Sequence, residues 1–110
     1  MYLGGHPHPR GWGAFARMLG RHTVELGDWS WAEAGVHLAG HPARRFGLAD
    51  LGRLVRGAAA DVVVVDPDGV AERASYEDPR RAADGVRHVL VNGEWALRDG
   101  RTTGSRAGRA

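Results

Sequence analysis

Hydrophobic positions follow two periods along this chain, and the change falls near Gly47. Trp12, Phe15, Ala16 and Leu19 recur at helical spacing with Arg17 and Arg21 off their face, which predicts a helix over about 12–25, ended by Gly27-Asp28. Before it, Pro7 and Pro9 disfavour helix at His6 and His8, so residues 1–11 read as an extended loop. Ser30 with Glu33 three positions later forms a capping box, with Trp29 placed to pack on Ala34, and predicts a second helix over 31–39. That helix should stop near Gly40, because Pro42 pushes His41 out of the helical region. Pro42 suits the first turn of a further short helix closed by Gly47, so the two should meet at a corner.

Beyond Gly47 the β-branched content rises. Val62 to Val65, between Asp61 and Asp66-Pro67, reads as a strand buried on both faces. Val86–Val91 and Glu94–Arg98 flank Asn92-Gly93, and that dipeptide specifies a type I′ hairpin because both turn residues need positive φ. The stretch between the strands is polar, and the Gly-, Ser- and Arg-rich tail RTTGSRAGRA is expected to fray. Three or four short strands, one of them apolar on both faces, need a second layer that this chain does not obviously supply.

Composition narrows the function. At 110 residues there is room for one core. All fifteen basic residues are arginine, but they are spread from Arg10 to Arg109 with acids among them. A nucleic-acid surface would need them clustered, so no nucleic-acid partner is expected. Without cysteine there is neither a disulfide nor a thiolate metal site. No apolar run approaches a bilayer span and the N-terminus lacks a secretory pattern, so a cytoplasmic chain with no membrane partner is expected. Neither a G-x-S-x-G elbow nor a phosphate-binding glycine motif occurs.

His6 and His8, two apart in an extended segment, project to one side and could share an ion. No third histidine or carboxylate lies near them in sequence, and proline-flanked positions sit poorly in a central strand. A guanidinium such as that of Arg10 can hold a carboxylate through two parallel hydrogen bonds. Asp61 and Asp66 fit strand-end and turn hydrogen bonding better than general-base chemistry. The four tryptophans fit packing better than a base-stacking platform.

The ordered set of these features resembles a known family. GLADLGRLVRGAAADVVVVDPD, preceded by the capping box and PARRFGL and followed by VLVNG, is similar to the segment in which amidohydrolases leave a catalytic barrel and re-enter a small β-sandwich. HPHPRGWGAFARMLGR, VAERASYEDPRR and TTGSRAGR resemble, more narrowly, the N-acyl-D-amino-acid deacylases. The resemblance implies an α+β fragment. Residues 1–47 would be the loop and closing helices of a metal-dependent (β/α)8 hydrolase barrel, and 48–110 the C-terminal strands of the composite sandwich.

In such enzymes a zinc-activated water attacks the amide of an N-acyl-D-amino acid, giving a carboxylate and a D-amino acid. Their metal ligands and the aspartate of a Ser-Asp-Gly segment precede the HPR motif, and MYLGG stands here where that aspartate is expected. The resemblance therefore implies a C-terminal portion with no catalytic residue and no metal ligand of its own. Zinc would belong to the complete enzyme, and none is expected on this chain. Arg10 would bind the substrate carboxylate. His6 and His8 would be loop histidines at the active-site mouth, with His6 placed to contact substrate. The partner would be the missing barrel half, or a second copy through self-association. The alternative is a non-catalytic split-gene remnant or subunit completing a partner that carries the barrel.

Overall fold

The computed structural model describes residues 5–109; MYLGG, apart from Gly5, and Ala110 lie outside the described residues. It is a small α+β piece: two helical rods and a four-stranded antiparallel sheet. Helix α1, Arg10–Arg17, runs directly into a π-helical segment, Met18–Glu25. It starts at Arg10 rather than Trp12 because Pro9, with φ at −53°, is preset for a first helical turn. The rod ends as expected at Gly27, φ +65°.

Its buried face differs from the expected one. Gly13, Ala16, Gly20 and Thr23 are buried, whereas Phe15 is 68% exposed and Trp12 and Leu19 are half-buried. Small residues face inward because a piece of backbone lies there. A Cβ on Gly20 would collide with the Val70 carbonyl, and one on Gly13 would meet the Glu72 side chain. The connection between the first two strands thus lies across the first rod, and an Arg17–Glu72 ion pair of 3.0 Å marks the contact.

The capping box forms as predicted. Glu33 N–H donates to Ser30 Oγ (3.2 Å), and Ser30 N–H donates to a Glu33 carboxylate oxygen (2.8 Å). The expected corner at Pro42 does not form. Helix α2, Trp31–Gly35, a π-helical segment, Val36–Gly40, and helix α3, His41–Arg45, make one continuous rod, with His41 helical at φ −65°, ψ −48°. His41 N–H bonds to the Val36 carbonyl five residues back, and this wider turn moves aside the carbonyl that the Pro42 ring would strike. Gly47, φ +70°, then closes the rod: Leu48 N–H reaches the Ala43 carbonyl (2.8 Å) and Gly47 N–H the Arg44 carbonyl (3.3 Å).

Strands β1 (Val62–Val65), β2 (Val86–Val91), β3 (Glu94–Arg98) and β4 (Arg101–Thr102) lie side by side in chain order. Asn92 and Gly93, at φ 49° and 78°, make the predicted hairpin turn. Asp61 and Asp66 serve the strand ends: Asp61 accepts Asn92 N–H (2.7 Å), and Asp66 accepts Asp68 N–H (3.1 Å) and Arg87 (3.0 Å).

Two expectations about the sheet are corrected. The valine strand is not buried on both faces: Val63 is 60% and Val64 42% exposed, because β1 is an edge strand of a single-layer sheet. Nor does the tail fray over its described residues, 101–109. A second turn at Asp99-Gly100 (φ 49° and 74°) returns the chain as β4, Ser105 Oγ donates to Glu94 (2.8 Å), and Asn92 Nδ2 holds the Ala107 carbonyl (2.7 Å). Among the described residues the buried apolar side chains are Ala16, Ala34, Ala43, Val70 and Ala74, all small or medium. No described helix is long and apolar enough to cross a membrane.

Candidate functional site

The HPHPR segment owes its shape to two prolines that supply no N–H and to the helix that starts at Arg10. That helix start leaves donors to satisfy, and Pro9 has no side-chain acceptor to offer. Gly11 N–H bonds to the His8 carbonyl (3.1 Å), and Trp12 and Gly13 N–H to the Pro9 carbonyl (3.0 and 3.1 Å). Arg10 N–H is taken by the His8 imidazole, at Nδ1 (3.1 Å). His8 Nε2 in turn lies 3.1 Å from the Tyr76 hydroxyl, and its ring stands edge-on to the Tyr76 ring with centroids 5.2 Å apart. His6 Nε2 contacts the Tyr76 carbonyl.

Arg10 is exposed and forms no ion pair among the described residues. As the first residue of α1 it places a cation at the positive end of the helix dipole, unfavourable for the helix and attractive to an anion. Nearby, the Glu77 carboxyl is held below its usual range, first by its own backbone N–H, then by the Ser75 hydroxyl, with His6 adding a smaller pull.

These residues do not fit a metal. His8 spends its Nδ1 lone pair on Arg10 N–H, so the neutral ring carries its proton on Nε2 and has no second lone pair to give. Among the described residues no group of three or more His, Asp or Glu side chains is arranged to hold an ion. The other histidine-rich place lies on the two rods, where His22, Trp29, His37 and His41 form a row of rings 5.0–6.1 Å apart and His22 bonds Asp28 (2.8 Å). A cavity of about 380 Å³ at the end of α3, lined by Ala43, Arg44, Leu48 and Arg53 among others, contains no residue of the HPHPR segment.

Sequence reasoning singled out Arg10, His6 and His8 but missed Tyr76. Sixty-eight positions separate Tyr76 from His8, and only its place within a family-like stretch could have drawn notice.

Residues 6–96 match the model of the amidohydrolase family, and the chain belongs to that family. Within it the similarity is to enzymes that act on D-amino-acid derivatives. The chain is 52% identical over 88 residues to an N-acyl-D-glutamate deacylase of Alcaligenes xylosoxydans, covering 80% of this chain and 18% of that protein. It is 44% identical over 103 residues to a D-aminoacylase of the same organism, covering 94% of this chain and 21% of that one.

Among solved structures, a D-aminoacylase superimposes with a TM-score of 0.90 at 42% identity, over 94% of this chain and 22% of that one. The N-acyl-D-glutamate deacylase from Bordetella bronchiseptica, complexed with zinc and a phosphonate mimic of the tetrahedral intermediate, gives 0.81 at 46% identity, over 88% and 21%. The chain thus spans about a fifth of the length of the relatives it matches.

Proposed function

We propose that these residues are the C-terminal part of a zinc-dependent amidohydrolase that cleaves the linear amide of N-acyl-D-amino acids. In this reading the two rods and their loop close a (β/α)8 barrel, and the four strands are one half of a composite β-sandwich. The reaction adds water to the acyl carbon and breaks the C–N bond; the acyl group leaves as a carboxylate, and the D-amine takes up the proton. Zinc would be held by polypeptide outside this stretch, since the donor set here does not fit it, and no step is assigned to it. This chain's own contribution is recognition: Arg10 holds the substrate α-carboxylate, and His6 contacts the substrate at the mouth of the site.

The observation that carries this reading is a guanidinium left without a carboxylate at the start of a helix, in a chain 52% identical to an N-acyl-D-glutamate deacylase. The exposed valines of β1 support the reading that polypeptide absent here covers the sheet, either the barrel-bearing part or a second copy. The same face suits a non-catalytic subunit that completes a partner.

The test is a chimaera in which the Alcaligenes N-acyl-D-glutamate deacylase receives this chain in place of its matching segment. Hydrolysis of N-acyl-D-glutamate is expected, and R10A should lower kcat/KM by about 100-fold, mainly through KM, as loss of a charge-assisted pair requires. An unchanged KM in R10A would reject the assignment of Arg10. The 110-residue chain alone, with added zinc, should show no turnover.

A further inference from the structure

Resting on the reading of Arg10 as the carboxylate-binding residue, we propose that Tyr76 is its positioning residue, acting through His8. The chain of contacts is directional. Arg10 N–H needs an acceptor, Pro9 cannot supply one from its side chain, and His8 Nδ1 does so at 3.1 Å. An imidazole that accepts at Nδ1 carries its proton at Nε2, so His8 donates to the Tyr76 hydroxyl oxygen at 3.1 Å. The opposite tautomer would set an Nδ1–H against Arg10 N–H, two donors face to face. The Arg10 N–H thereby fixes the tautomer of His8, and Tyr76, accepting from Nε2–H, holds the ring in the orientation that caps the helix.

Tyr76 also fixes the second histidine, since its carbonyl accepts from His6 Nε2. The residue is itself anchored. Ser75 N–H bonds to the Asp78 carbonyl (3.1 Å) and Asp78 N–H to Ser75 Oγ (3.0 Å), closing the turn on which it sits. Arg80 Nη2 donates to the Gly5 carbonyl (2.9 Å), and Arg17 pairs with Glu72 (3.0 Å). The β1–β2 connection therefore clamps the loop on either side of Arg10, and the guanidinium swings from a fixed base. Loosening that base costs substrate ordering rather than chemistry, so its signature is in KM.

Two measurements on Tyr76→Phe test this. In the 110-residue chain at alkaline pH, ¹⁵N imidazole resonances should show His8 with a bare Nδ1 and a protonated Nε2, and in the Phe variant, where the ring loses its anchor, the Arg10 amide should exchange its hydrogen faster. In the chimaeric deacylase, Y76F should raise KM for N-acyl-D-glutamate about three- to tenfold, the scale of one neutral hydrogen bond, while kcat stays within about twofold. His8→Asn, whose side-chain oxygen can still accept Arg10 N–H, should recover part of the KM lost in His8→Ala. A Y76F variant with unchanged KM beside an R10A variant with raised KM would overturn the role of Tyr76 and leave Arg10 standing; an R10A variant with unchanged KM overturns the carboxylate reading itself. A wild-type His8 protonated at Nδ1, or an Arg10 amide whose exchange is unmoved in Y76F, would overturn the proposal whatever the kinetics.

Discussion

Two places in this molecule bring β-structure to a boundary, and they are built in opposite ways. At Val70 the chain is gripped between Gly20 of the first rod and Gly85 before β2, each so close that a Cβ would strike the Val70 backbone. At β1 the side chains of Val63 and Val64 stand in the open. Glycines line the contact this chain makes with itself, and branched apolar side chains stand on the strand edge it leaves exposed. Burial follows where backbones approach, not where hydrophobicity is greatest.

The largest expected effect falls on the gripped seam. Gly85→Ala combines a positive φ of 76° with a Cβ on the Val70 backbone and should cost about 2–4 kcal/mol in chemical denaturation. Gly20→Ala should also destabilise, its clash outweighing the helix-propensity gain of about 1 kcal/mol. Next comes Ser30→Ala, which removes the two bonds made by the Ser30 hydroxyl, leaves the Ser30 N–H bond to Glu33, and should cost about 1 kcal/mol by the same measurement.

Acid should act more gently. Hydrogen bonds from Ser30 hold Glu33 below its usual range, and the guanidinium groups of Arg109 and Arg87 do the same for Asp50 and Asp66. The folded state then binds fewer protons than the unfolded one. Its advantage is complete above the ordinary carboxyl range near pH 4 and is lost as pH falls through the lowered folded values. Melting temperature should therefore drop on acidification, and Asp66→Asn should flatten the slope. The smallest effect belongs to the open edge: Val63→Thr with Val64→Thr should leave stability within about 0.5 kcal/mol while reducing self-association in sedimentation velocity. A core-sized loss there would mean that Val63 and Val64 are packed in solution and not exposed.

Features fixed by neighbours in sequence were legible before any coordinates. The Ser30/Glu33 box, the Gly47 stop and the Asn92-Gly93 turn each depend on a few consecutive dihedrals and their local donors. The continuation through Pro42 was not legible, because a π turn relieves the proline at a distance of five residues and leaves no compositional mark. The Asp99-Gly100 turn did carry a signal, the same kind as Asn92-Gly93, overshadowed by the glycine-rich tail behind it. The proposed role of Arg10 comes from the resemblance of the HPR motif, not from any local signal that marks one arginine among fifteen. The grip of Tyr76 on His6 and His8 could not be read, since it joins residues about seventy positions apart.

The seam at Val70 has a bearing on assembly. Glycine-lined contacts tolerate little sliding, so the first rod and the sheet meet at a preset angle, and in the proposed reading a covering polypeptide would arrive on a face already shaped. A cover that docks on a prefabricated bracket forfeits less freedom than one that must shape its own support, and more of the apolar contact then appears as affinity.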